Sequence, residues 1–292
     1  METEELIECW PGEIATLSDG TRSTVGIDRP WQKALNQEVD IGVVTCPFCA
    51  EEQPGADRTL VVKVFNRGKA GKWKIRKNRM TPFPFHHLIL PLECYDNETL
   101  WTLGGERKIA GALHTARSAM RGYGGSNIED AFFFVHIGYS AGQRWKHEHW
   151  HLIEPPRKPT LMESDLIELA ERENLVVFRN LGFTVVAGGC RAGQCYIIPR
   201  RGEMEMFPDR QANTLATTIH RLVTLFNQKF TSAQGLKPDF QVFVRFMNRR
   251  LVYAKYTPIL NMWGGSEYAA IDEMTPFVLP WPHEATVRHL LS

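Results

Sequence analysis

Apolar and polar positions change period several times along the chain, and each change marks an element. Lys72-Trp73-Lys74-Ile75-Arg76 alternates with a period of two, which predicts a strand. Pro82-Phe83-Pro84-Phe85 breaks any helix and leads into an apolar strand at His87-Leu88-Ile89-Leu90. From Leu100 to Arg121 the apolar residues Leu103, Ile109, Ala112, Leu113, Ala116 and Met120 fall at helical spacing. The unbroken run Ala131 to Val135 reads as a strand buried on both faces. A glycine turn at 138–142 and a strand from Trp145 to Ile153 follow, closed by Pro155-Pro156.

The second half repeats this order: a strand at 174–180, Cys195-Tyr196-Ile197-Ile198-Pro199 matching the string that ends in Pro91, and a helix from Gln211 to Phe230. Asp239 to Val244 then matches Asp130 to Val135, and Leu251 to Tyr256 stands where Trp145 to Ile153 stood. The expectation is an α+β protein of two consecutive copies of one unit, residues 1–160 and 161–292. Antiparallel sheets with packed helices would join edge to edge into one continuous sheet, which removes two open edges. Residues 1–45 read as an extended arm with one or two short strands.

Composition narrows the function classes. Thirty-four Lys and Arg against 33 Asp and Glu leave a net charge of +1, which excludes nucleic-acid binding by bulk charge. No apolar run is long enough to span a bilayer, so no membrane partner is expected, and the acidic start METEELIECW lacks the pattern of a signal peptide. A cytoplasmic protein is expected. Six cysteines in 292 residues are too few for a disulfide scaffold, and clustered cysteines in a reducing compartment point to metal.

His147-Glu148-His149-Trp150-His151 carries the chemistry. On a strand the three imidazoles share one face, with Glu148 and Trp150 on the other. The second copy has no such cluster, so the chemistry is expected in the first. Cys46-Pro47-Phe48-Cys49 has the two-residue gap of a zinc knuckle, but supplies only half a site.

Gly138-Tyr139-Ser140-Ala141-Gly142-Gln143-Arg144 followed by the histidine string resembles the histidine-triad superfamily: a glycine-rich turn ending in Gly-Gln, then His-x-His-x-His. His136 stands at the family's Asn and Arg144 at its Ser. The resemblance implies that His149 attacks the α-phosphorus of a nucleotide, forming a nucleotidyl-histidine, while His151 protonates the leaving group. It also implies that His136, Ser140, Gly142, Gln143, Arg144 and Asn78 surround the nucleotide or nucleotide-sugar substrate.

The Cys-Pro-Phe-Cys string and the repeated unit narrow the resemblance to the galactose-1-phosphate uridylyltransferase branch. That branch implies a structural zinc on Cys46, Cys49, Cys94 and His147, with His86 or His87 as the alternative to Cys94. It further implies nucleotidyl transfer to a sugar phosphate or phosphate, and a possible homodimer. The branch usually has Gln where this chain has His151. A His there favours hydrolysis or phosphorolysis of nucleotide sugars or dinucleoside polyphosphates, and a non-catalytic nucleotide-binding protein is the third reading.

Two further features stay open. Seven basic residues between Arg67 and Arg79 read as a solvated strand face or as a phosphate-steering patch. Cys190 and Cys195 read as free thiols or as part of a second metal site.

Overall fold

The computed structural model describes residues 14–16, 22–24, 46–50, 52, 59–78, 85–94, 104–122, 128–138, 141, 143, 147–154, 163–189, 193–200, 207–230, 237–259 and 283–292. A small hairpin of β1 (Ile14–Thr16) and β2 (Arg22–Thr24) stands apart from the main sheet. The first unit comprises α1 (Pro47–Ala50), β3 (Val61–Asn66), β4 (Lys72–Lys77), β5 (His86–Pro91), α2 (Gly105–Met120), β6 (Ala131–Ile137) and β7 (Trp150–Ile153). The second comprises α3 (Glu163–Glu171), β8 (Val176–Arg179), β9 (Phe183–Ala187), β10 (Cys195–Pro199), α4 (Asp209–Phe230), β11 (Asp239–Met247), β12 (Arg250–Ile259) and α5 (His283–Leu291).

The main sheet has ten strands in the order β3-β4-β5-β7-β6-β11-β12-β10-β9-β8, all neighbours antiparallel. Read from either end, this is the same five-strand order, so the expected continuous sheet of two units is present. The units meet where β6 pairs with β11, and Phe134 lies opposite Phe243 at the centre of that ladder. Register confirms the repeat residue by residue. Leu88 pairs with His151, which pairs with Phe134; Tyr196 pairs with Lys255, which pairs with Phe243.

Helices α2 and α4 pack on each other and on one face of the sheet. Ile109, Leu113 and Ala116 from α2 and Leu215, Ile219 and Leu222 from α4 join the inward residues of both units in one core. Because α2 and α4 cover that face of β6, the strand is buried at Ala131, Phe133, Val135 and Ile137 but half-exposed at Phe132, Phe134 and His136. The run expected to be buried on both sides therefore presents an aromatic row on its outer face.

Two local expectations change. Strand β7 starts at Trp150, later than Trp145, because the His147 carbonyl accepts a hydrogen bond from its own neighbour's ring (His149 Nδ1, 2.8 Å), an alternative to ladder pairing. Lys74 does not lie on a solvated face. It is fully buried and donates to Glu52 Oε1 at 2.7 Å and to the Phe48 carbonyl at 3.2 Å. Arg67 in the same basic stretch reaches α2, donating to Ser118 Oγ and the His114 carbonyl. Among the described residues no helix is long and apolar enough to cross a membrane.

Gly111 sets how closely α2 approaches β4. A Cβ there would lie 2.4 Å from Nε1 of the fully buried Trp73, whose indole donates to the Ala70 carbonyl at 2.7 Å. Gly111→Ala gains helix propensity of about 1 kcal/mol but overpacks a core worth about 1–3 kcal/mol in such cases. Urea unfolding is expected to show a net loss of about 0–2 kcal/mol; a gain would mean that Trp73 yields freely.

Candidate active site and metal centre

The site grows from the outer face of the first unit. Cys46 precedes α1, a single turn closed by Ala50 N–H donating to the Cys46 carbonyl at 3.0 Å. Phe48 seats that turn on Leu88 and Leu90 of β5, and Lys74 pins it from below through the Phe48 carbonyl. Cys94 lies three residues past Pro91, where β5 ends. One donor atom each from Cys46, Cys49, Cys94 and His147 lies within 4.8 Å of all the others.

The donor set fits a tetrahedral metal. His147 Nε2 donates to the Pro91 carbonyl at 2.9 Å, leaving a lone pair on Nδ1. That nitrogen stands 3.6 Å from Cys46 Sγ and 3.4 Å from Cys49 Sγ. Bond lengths of about 2.3 Å to sulfur and 2.0–2.1 Å to nitrogen imply a tetrahedral edge of roughly 3.6 Å. Burial pushes the Cys49 thiol up to about 12, assisted by the neighbouring Cys46 and Cys94 thiols. Crowded sulfurs of this kind become thiolates once a cation supplies the missing charge. The alternatives to Cys94 are committed elsewhere: His86 bonds to His151, and His87 packs on Phe85 at 4.2 Å between ring centres.

Beside this cluster the histidine string turns into strand. His149 donates its Nδ1–H to the His147 carbonyl, which leaves the lone pair on Nε2. Burial pushes its pKa down to about 4; the His147 carbonyl opposes this, and the His147 and His136 imidazoles add to it. The ring lies against Phe48 at 5.5 Å and edge-on to His151 at 5.3 Å. His151 stacks on Phe134 at 4.8 Å and 9°, and Phe134 stacks in turn on Phe243 across the unit junction.

His86 stands behind His151, with its Nε2 2.8 Å from His151 Nδ1. Asn78 Nδ2 lies 3.2 Å from the His86 ring, and the Asn78 backbone N–H donates to the His86 carbonyl at 3.0 Å. Asn78 thus reaches the site through His86. His136 completes the group, 6.0 Å from His151 between ring centres, with its pKa lowered by burial.

The glycine turn sits at the end of β6. Gly138 N–H donates to Gln143 Oε1 at 2.7 Å and Gln143 N–H donates to the Gly138 carbonyl at 3.1 Å. Gln143 therefore ties Gly138 to its own position, joining the two ends of the turn. From the second unit, Gln241 Nε2 donates to the Ala141 carbonyl at 3.1 Å. Gly138 has φ of 91°, and the Asp239 side chain occupies the space a Cβ would need. Ser140, Gly142 and Arg144 lie outside the described residues, as does Cys190, while Cys195 is fully buried in the core as a free thiol.

Sequence reasoning missed His86 as the partner of His151, Phe48 and Phe134 as the walls of the imidazole group, and Gln241 as a brace. The repeated period of β6 and the Pro-Phe between the cysteines were the available signals for the aromatics.

No family model matches the chain, and no curated protein matches it in sequence. Solved structures do. A uridylyltransferase superposes with a TM-score of 0.65 at 16% identity, over 95% of this chain and 96% of that one. The fold is that of the uridylyltransferases. An ADP-glucose phosphorylase from Arabidopsis thaliana with bound ADP-glucose gives 0.58 at 14% identity, covering 75% of this chain and 81% of its own. A GalT-like protein from the same plant gives 0.57 at 15% identity, covering 75% and 82%. At 14–16% identity these likenesses are of fold, and the fold is the one that the histidine string and the cysteine pair led us to expect. In this uridylyltransferase fold the histidines lie on the outer face of the first unit, away from both core helices.

The Lys74–Glu52 pair holds α1, and with it Cys46 and Cys49. Glu52→Ala strands the Lys74 charge in the interior and is expected to cost about 1–3 kcal/mol, discounted for the partial exposure of Glu52. Lys74→Met combined with Glu52→Gln removes both charges and is expected to cost less than Glu52→Ala alone. Urea unfolding measures the two; equal losses would show that the pair acts by packing alone.

Proposed function

We propose that the protein is a nucleotidyltransferase working through a covalent intermediate on His149. The observation that supports this most is the His149 hydrogen bond: Nδ1–H is held by the His147 carbonyl, so Nε2 carries the lone pair. That lone pair forms a bond to the α-phosphorus of a nucleotide-sugar or dinucleoside polyphosphate substrate as the phosphorus–oxygen bond to the leaving group breaks. The ring becomes cationic, and its Nδ1–H remains on a carbonyl oxygen that carries partial negative charge.

His151 gives its proton to the departing oxygen. Its Nδ1 is joined to His86 Nε2, so one proton shared between the two rings leaves the outer nitrogen of His151 for the leaving group. In the second half-reaction an acceptor oxygen attacks phosphorus, His151 takes the acceptor's proton, and the bond to His149 Nε2 breaks. The turn at 138–143 would lie against the phosphate oxygens, its shape set by Gln143 and braced from the second unit by Gln241. His136, Ser140, Gly142 and Arg144 belong to this phosphate side of the reading, and Asn78 orients His86.

A sugar phosphate or inorganic phosphate is the acceptor in this reading. His151, in place of the Gln of the resembling transferases, supports phosphorolysis or hydrolysis as the second reading, because imidazole moves a proton that a carboxamide cannot. The solved neighbours include both kinds of protein, a uridylyltransferase and a phosphorylase. We assign catalysis to residues 1–160 and support of the site to 161–292.

The metal reading is a structural zinc on Cys46, Cys49, Cys94 and His147. Four protein ligands close the tetrahedron, so the ion would fix the His147 backbone and hence the acceptor of the His149 hydrogen bond.

Two measurements test these readings. With a nucleotide sugar labelled at the α-phosphate, acid-labile label is expected on the wild type and none on His149→Ala, whose turnover falls by at least about 10³-fold. His151→Gln is expected to keep the label while release to water or phosphate slows by roughly 10²-fold. Label persisting on His149→Ala overturns the assignment, and product analysis with phosphate or sugar phosphate separates the two acceptors. Elemental analysis of protein purified without chelator is expected to give one zinc per chain, with Cys49→Ala losing most of it and melting earlier. Zinc-free wild type would remove the metal reading.

A further inference from the structure

The second unit carries an unexplained buried charge. Arg245 on β11 is fully buried, and its Nε, Nη1 and Nη2 have no hydrogen-bond partner among the described residues. The guanidinium lies 4.4 Å above the Phe132 ring on the outer face of the sheet. Asp130 is near enough to act on it through space, but Asp130 Oδ1 accepts from the Asn248 amide. Five N–H donors without a partner in the interior call for an anion.

The repeat shows what this place is. A pseudo-two-fold passes between Phe134 and Phe243, which face each other in the ladder. Two residues beyond Phe134 stands His136; two beyond Phe243 stands Arg245. Lys255 pairs with Phe243 as His151 pairs with Phe134, and Tyr253 precedes Lys255 by two as His149 precedes His151. Gln194 occupies the position of His86. Even the backbone agrees, since the Gly188 N–H donates to the Gln194 carbonyl as that of Asn78 does to His86.

The surroundings are repeated too. Phe48 lies against His149 over Leu88 and Leu90; Leu166 of α3 lies with Tyr253 over Ile198. A bulge in the β11–β12 ladder begins at Arg245, a device that commonly re-aims a side chain beside a site. Lys255 Nζ lies 5.7 Å from the Phe243 ring, and both residues are half-exposed.

We propose that the second unit retains a phosphate-monoester site, built on Arg245 and Lys255 at the places of His136 and His151, which binds without reacting. The reason is chemical. Tyr253 replaces the only imidazole whose lone pair could attack phosphorus, while cations replace the flanking imidazoles, so affinity for a phosphate dianion is kept and nucleophilicity is lost. The two sites share the Phe134–Phe243 stack as their common wall. By strand spacing their outer members, His151 and Lys255, lie on the order of 15 Å apart, three strands at about 4.8 Å each. A ligand carrying a terminal phosphate or a free mononucleotide would fill the second site while the first is engaged.

Calorimetric titration of the full-length protein with UMP, and separately with inorganic phosphate, tests this. The wild type is expected to bind two equivalents and Arg245→Met one; Arg245→Lys should recover part of the second. In phosphate-free buffer Arg245→Met is expected to melt no lower than the wild type, because it removes an uncompensated buried charge, and phosphate should raise its melting temperature less. Two equivalents on Arg245→Met, or a single equivalent on the wild type that Arg245→Met retains, overturns the proposal; a single equivalent that Arg245→Met loses supports it. Should Arg245→Met fail to fold, Lys255→Met decides: a weakening of the second equivalent by about tenfold supports the site, and unchanged affinity overturns it. Labelling of His149 is read separately on the wild type. Unlabelled protein that still binds two equivalents would end the covalent reading and leave this one standing.

Discussion

The hydrogen bond from His149 Nδ1 to the His147 carbonyl is the contact on which the rest of the site depends. It joins two centres that would otherwise be independent. The ring of His147 is committed on both nitrogens, one to the Pro91 carbonyl and one toward the sulfurs of Cys46 and Cys49. Its backbone is therefore fixed, and its carbonyl oxygen becomes a fixed acceptor. That acceptor selects the tautomer of His149 and aims the remaining lone pair. A serine or water in the same place could donate as well as accept and would leave the tautomer undetermined; a carbonyl can only accept.

The same bond explains why the histidine string is only partly strand. A period-two string of alternating imidazoles predicts a full strand, and Trp150 to Ile153 does pair with β5 and β6. Upstream, the side chains take over the roles that ladder partners would have played. The shared orientation expected from strand alternation survives, since His149 and His151 remain in ring contact at 5.3 Å. It survives because the cysteine cluster and Phe48 hold His147 and His149 from one side, which is a tertiary cause for something that looked local.

How much could be read from the chain alone follows the same division. The repeat was legible because it is written in short apolar strings whose register is fixed by burial on the helix side. Cys195 to Pro199 and His87 to Pro91 occupy equivalent positions to the residue, with Leu88 and Tyr196 facing His151 and Lys255. The third sulfur, Cys94, was legible only through the resemblance, and the geometry places it with Cys46, Cys49 and His147. What escaped was every contact whose partners are polar and distant. Lys74 sits in an alternating strand and looks solvated, yet Glu52 lies 22 residues away on the short segment that α1 begins. His86 and His151 are 65 residues apart, and Gln241 and Ala141 are 100 apart. No period in a sequence encodes such pairs.

The junction of the two units gives the non-catalytic half a physical role in the reading advanced here. Joining β6 to β11 removes the edges that single units would expose, and it also brings Gln241 and Asp239 against the glycine turn of the other half. A turn rich in glycine has many accessible conformations, and ordering it at the moment of substrate binding would cost free energy. Side chains on a central strand, held by nine residue pairs to β12 on one side and by β6 on the other, can impose that order beforehand. The absence of an imidazole nucleophile from the second unit is then no obstacle to its role in this reading, because what it brings to the first is Gln241 on the Ala141 carbonyl, Asp239 beside Gly138 and an aromatic wall at Phe243, none of which needs an imidazole.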